Sequence, residues 1–287
     1  MKTPLTLFLS LSFLFLFIGS VYGGDPVVKK EYWDNGKLKS EVPYNGLGTF
    51  WYRSGNKLSE TPLKNGKGEG LGTSWYESGE KKDEVHFKNG KLEGLGTFWY
   101  ESGKKKSEFY YKDGKRERLG TSWYETGKKK NEGHFKNEKL EGLGTSWYES
   151  GGKEYESYYK NGKKEGLRTR WYQSGEKEGE IYFKNDEPTG LSTSWYQSGE
   201  KMTETPHKNG KPEGLRTWWF PSGDKMRETP FKNGKEDGLE TIWYQSGKKK
   251  SEKHYEIGIE IGIRKEWDED GTLTYEGNYV DGVEEIK

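Results

Sequence analysis

Tryptophan recurs in this chain at positions 51, 75, 99, 123, 147, 171, 195, 219, 243 and 267, always 24 residues apart. A period held that strictly belongs to an array in which each repeat is one supersecondary element stacked on its neighbours. With each Trp numbered as repeat position 1, Gly recurs at position 5 and Glu at position 10 in every unit. An aromatic residue holds position 13 in most units, Leu holds 21 from Leu71 to Leu239, and Thr holds 23 from Thr73 to Thr241. The unit reads WYESGxKKxExxFKNGKxEGLGTS. A degenerate first unit begins at Tyr32 and Trp33, with Gly36, Glu41 and Tyr44 at the expected offsets, and a last, capping unit runs to Gly282.

Each unit carries two turn signals. Ser-Gly follows the Trp-Tyr pair, and Asn-Gly sits within KNGK, as at Asn89-Gly90, Asn161-Gly162 and Asn233-Gly234. Asn-Gly favours a two-residue hairpin turn because both residues need positive φ. Between the turns LGTSWY alternates with the period of a strand, and no stretch is long enough for a stable helix. The expected fold class is all-β, an elongated antiparallel meander of about ten 24-residue hairpin repeats.

Composition agrees with a thin structure. Leu, Ile, Val and Phe make up about 17% of the chain, a level typical of disorder, yet 15% of residues are aromatic and the formal net charge is +1. Trp and Tyr must then supply the buried surface. Trp75, Trp99, Trp123, Trp147, Trp171 and Trp195, the position-13 aromatics and the Leu row are therefore expected to be core. The absence of Cys excludes a disulfide scaffold, a thiolate metal site and a cysteine nucleophile.

Residues 1–23 read as a secretory signal peptide, with Lys2 as the only charge, a Leu- and Phe-rich run from Leu5 to Ile18, and small residues at Gly19, Ser20 and Gly23. The repeat array then occupies 24–287 of an exported chain, periplasmic, associated with the outer envelope or extracellular. The alternative is a retained anchor, since Thr6 to Tyr22 gives about 17 residues, the short limit for a bilayer span.

The last unit contains YEGNYVDG (Tyr275 to Gly282), and the body repeats NGKxEG before a Trp-Tyr strand. These segments resemble the MORN (membrane occupation and recognition nexus) repeat and its bacterial variant, over about Tyr32 to Gly282. The resemblance implies a meander of successive hairpins, no catalytic activity, and a role in scaffolding, protein contact or lipid contact. Bacterial members of the variant group are often labelled antitoxin-like, a role that an exported chain fills only toward a target outside the cytoplasm. The chain departs from the pattern at Arg118, Glu138, Asp186 and Asp268, where strained or remodelled turns are expected.

Three repeated rows are candidates for binding. Tyr52, Tyr76, Tyr100, Tyr124, Tyr148, Tyr172, Tyr196 and Tyr244 alternate away from Trp and should form a ladder with a pitch of about 9.6 Å, suited to an extended partner. Lys105, Lys129 and Lys249, within the KKK runs after the Ser-Gly or Thr-Gly turn, would line one edge and could meet anionic lipid. The Glu row, including Glu84, Glu108, Glu132 and Glu156, reads as structural, accepting hydrogen bonds from a turn or pairing with Lys at position 7 or 14.

No nucleophile–base pair, metal set or phosphate loop appears, so no catalytic residue, cofactor or metal is expected. His86, His134 and His254 share position 12 and stand too far apart for one ion; they are expected on exposed strand positions. A protein partner is favoured, with anionic lipid or a glycan as alternatives, and overall neutrality disfavours nucleic acid. IGIEIGI (Ile257 to Ile263) replaces the polar turn of the other units and is expected to seal the carboxyl end.

Overall fold

The computed structural model describes residues 28–285. The amino-terminal apolar run, with both readings of it, lies outside the described residues. All described elements are strands, paired antiparallel, and the chain divides into two units, one ending at Arg116 and one beginning at Glu117.

One hairpin builds both units. In the first, strand Gly70–Trp75 leads into Lys81–Lys88; in the second, Lys139–Trp147 leads into Lys153–Lys160. The turn after Trp is closed by main-chain bonds, the Tyr76 amide donating to the Glu80 carbonyl at 2.8 Å and the Gly79 amide to the Tyr76 carbonyl at 3.0 Å. At the other turn Asn89 and Gly90 take φ of 50° and 78°, as a primed hairpin turn requires. Arg118, Glu138 and Asp186 keep left-handed geometry at φ of 62°, 71° and 71° without being Gly, which costs about 1–2 kcal/mol each. At Asp268 the carboxylate accepts the amides of Asp270 and Thr272, so a side-chain cap replaces the usual ring.

The register is the same throughout. Glu84 lies opposite Thr73 in its own hairpin and Thr97 in the next strand, and Glu156 lies likewise between Thr145 and Thr169. A row of alternating Thr and Glu therefore crosses the strand centres of each unit.

That register also separates the faces. Position 13 lies opposite position 20, with Phe87 facing Gly70 and Tyr159 facing Gly142. The ring covers the Gly at position 22: a Cβ on Gly72 would come within 2.8 Å of Phe87, and one on Gly144 within 3.0 Å of Tyr159. Successive strand residues point to opposite faces, so Leu, Thr and Trp at positions 21, 23 and 1 leave on the other side.

The expectation that the Leu row is core is thereby corrected. Leu47, Leu71, Leu95, Leu119, Leu143, Leu191, Leu215 and Leu239 are between 38% and 49% exposed. Tryptophans and position-13 aromatics are half-buried. Among the described residues the buried apolar side chains are Val42, Leu63 and Val85, while the polar Ser157 and Thr229 are the ones fully enclosed. A single sheet has no second layer to cover either face, so small Ser and Thr side chains fill the tight positions beneath the rings. The sealing role expected of IGIEIGI is also overturned, since Ile257, Ile259 and Ile263 are 58%, 47% and 48% exposed.

Candidate binding face

Two rows of side-chain bonds tie one hairpin to the next. On the side of the Ser-Gly turns the Tyr hydroxyl at position 2 donates to the carbonyl of the next unit's Trp. The distances are 2.9 Å for Tyr52 to Trp75, 2.8 Å for Tyr76 to Trp99 and 2.7 Å for Tyr124 to Trp147. Tyr148, Tyr172, Tyr196 and Tyr244 reach Trp171, Trp195, Trp219 and Trp267 at 2.7–2.8 Å. In the first, degenerate unit the indole Nε1 of Trp33 reaches the Trp51 carbonyl at 3.3 Å. Tyr100 holds the same turn position, with Lys106 Nζ 5.4 Å from its ring centre. Burial raises the pKa of Tyr52 and Tyr172 above the ordinary range, so both hydroxyls remain protonated donors at neutral pH.

On the side of the Asn-Gly turns, the acid of NGKxEG at position 19 accepts the amide of the next unit's turn Asn. Glu69 receives Asn89, Glu141 receives Asn161 and Glu213 receives Asn233, at 2.8, 2.8 and 2.6 Å. This clamp was missed in the sequence, although the recurrence of an acid three residues beyond Gly was its signal.

The Lys and Glu rows meet. Glu84, Glu108, Glu132 and Glu156 pair with Lys81, Lys105, Lys129 and Lys153 at 2.5, 2.6, 2.7 and 2.6 Å, and Lys249 pairs with Glu252 at 2.5 Å. The same ammonium groups stack on the following Trp: Lys81 lies 5.3 Å from the centre of Trp99, Lys129 5.6 Å from Trp147 and Lys153 5.6 Å from Trp171. Lys57 and Lys177 stack likewise on Trp75 and Trp195. Trp123 lies opposite Lys129 in its hairpin. Exposed ion pairs contribute about 0–1 kcal/mol and exposed cation–π contacts about 0.5–1 kcal/mol, so these rows matter by repetition.

Beside them runs the exposed Leu row, extended by position 12. Leu143 is paired with Tyr158, Leu95 with Tyr110 and Leu191 with Pro206. Tyr158 and Tyr182 are 51% and 52% exposed. These position-12 tyrosines were also missed, because the sequence drew attention to the aromatics at 13. His86, His134 and His254 share this row and are exposed, while His207 at position 13 is half-buried and burial lowers its pKa. Among the described residues no group of three or more His, Asp or Glu could hold a metal ion.

The MORN repeat variant model matches nine segments: 28–45, 68–89, 92–113, 119–137, 140–163, 164–185, 212–233, 236–256 and 260–281. The chain belongs to the MORN repeat variant family. No curated protein matches it. Among solved structures, the one described as the crystal structure of TcdB2-TccC3-Cdc42 is similar over 89% of this MORN chain and 16% of its own, at 9% identity and a TM-score of 0.20. The structure of TcdB2-TccC3 is similar over 92% and 18%, at 10% identity and a TM-score of 0.19. The MORN array thus spans under a fifth of the length of those chains.

Proposed function

We propose that this chain is an exported, non-enzymatic MORN scaffold that holds another protein against its Leu-bearing face. The observation that supports this is the Leu row itself, repeated and exposed where a half-buried sheet has no need of it. The Tyr hydroxyls and position-7 lysines are engaged within the array, so the Leu, Trp and position-12 side chains offer the contact area. Pairing of Lys with Glu along this face removes the net charge that would draw it to anionic lipid, which favours a protein partner. Export rests on the Leu5 to Ile18 run and the small residues that follow it.

The test is affinity recovery from envelope and culture-fluid fractions with the wild-type chain and a variant carrying Leu143→Ser, Leu191→Ser and Leu239→Ser. The expected result is a stoichiometric protein retained by the wild type and lost by the variant, with unchanged far-ultraviolet circular dichroism. Retention by the variant, or recovery of lipid alone, would overturn the proposal.

A further inference from the structure

The row of turn clamps changes character near the carboxyl end. Glu213 still accepts the Asn233 amide at 2.6 Å, but Asp237 receives the Ile257 amide at only 3.4 Å. One unit later Ile261 stands where most units hold the clamping acid and one, at Thr189, a hydroxyl, and the turn it would serve begins at Asp281. An open cleft of about 760 Å³ lies here, lined on its apolar side by Phe231, Ile257, Ile259 and Ile261.

Two features of this cleft work against folding. Ile257 occupies the turn position that Asn or Asp holds in the other units, and takes φ of 52°, a region that disfavours β-branched side chains. It is also 58% exposed, with Ile259 beside it at 47%. A strained, exposed isoleucine where Asn would satisfy the turn is the kind of feature retained at binding sites.

The polar rim gives the sign of the partner. Glu236, Glu256 and Asp281 line the cleft with Lys235 as the one base among its lining residues. Glu236 shares Arg227, at 3.1 Å, with the buried Glu240, so one guanidinium faces two carboxylates there, and Glu256 and Asp281 stand against the single ammonium of Lys235. In the strand that carries Ile259 and Ile261, Glu260 has a buried Oε1 without a hydrogen-bond partner.

We infer that this cleft docks an extended segment of a partner protein in which an aliphatic side chain lies next to Lys or Arg. The aliphatic group would cover the isoleucines, and the cation would meet Glu256 and Asp281 at the rim. The inference extends the scaffold reading to a second site, at the turn edge beside the Leu row, where Ile261 is paired with His254.

The test uses the full chain and three fluorescent, end-blocked heptapeptides: alternating Lys and Leu, alternating Glu and Leu, and alternating Lys and Ser. Fluorescence anisotropy is expected to show saturable binding of the Lys-Leu peptide, with at least tenfold weaker binding of the other two. The double variant Ile257→Asn and Ile261→Glu restores the turn and clamp of the neighbouring units, so its melting temperature should not fall. It is expected to bind the Lys-Leu peptide at least tenfold more weakly, although it adds a carboxylate that would strengthen a purely electrostatic association. The pair Glu256→Gln and Asp281→Asn should weaken the same peptide severalfold. Unchanged affinity in the double variant, or equal affinity for the Lys-Leu and Glu-Leu peptides, would overturn the inference. Because the probes are synthetic, either result leaves the Leu-face recovery experiment to stand or fall separately.

Discussion

The hydroxyl of Tyr148 donates to the main-chain carbonyl of Trp171, 23 residues further on, at 2.8 Å. It joins the loop of one hairpin to the strand end of the next, where a single sheet has no second layer to hold it. Tyr148→Phe keeps the ring and removes the bond, so it is expected to lower stability by about 0.5–1.5 kcal/mol. Urea denaturation checks this. Phe220, which holds position 2 in its own unit, is the internal contrast, and Phe220→Tyr is expected to raise stability.

Glu240 is only 2% exposed, ion-paired with Arg227 and accepting the Thr229 hydroxyl at 2.9 Å. Arg227→Met leaves that carboxylate buried without its cation, and a loss of about 3–5 kcal/mol is expected. Adding Glu240→Leu should recover part of it, because the uncompensated buried carboxylate is then removed while the buried Thr229 hydroxyl loses its acceptor. Comparison of the single and double variants by denaturant unfolding measures the difference.

Asp83 is held above the ordinary carboxylate pKa chiefly by burial, while the Ser74 hydroxyl donating at 2.5 Å opposes the shift. A raised carboxyl pKa means that the folded state holds the proton more firmly than the unfolded one. The associated stability is present below the unfolded pKa and lost as pH rises through the folded pKa. Asp83→Asn, neutral at every pH, should match the wild type in acid and exceed it at neutral pH. Urea midpoints measured below pH 3 and at pH 7 decide this; a gap of equal size at both would contradict it.

The hairpin, its two turns and the 24-residue unit were legible because Asn-Gly, Ser-Gly and the Trp period are local signals. The face assignment was not. Alternation within LGTSWY separates Leu, Thr and Trp from Gly and Ser, but places neither set relative to Phe87 or Tyr159 on the paired strand. That depends on register, and pairing position 13 with position 20 sends the aromatics to the Gly side and leaves Leu71 and Leu143 in solvent. The bonds from Tyr148 to Trp171 and from Glu141 to Asn161 were likewise hidden, since each joins two units that are neighbours only after the array has formed. Ile257 was readable as an anomaly, whereas its exposure depends on the strands around it.

The most direct measurement compares urea unfolding of two triple variants of the second unit. One carries Leu143→Ser, Leu191→Ser and Leu239→Ser on the exposed face; the other carries Tyr159→Ser, Phe183→Ser and Phe231→Ser over the Gly side. The first is expected to stay within about 1.5 kcal/mol of the wild type, at ±0.5 kcal/mol per exposed site. The second should lose several kcal/mol, as removal of packed aromatics does. A stable aromatic variant beside an unfolded Leu variant would contradict the register from which both faces are assigned.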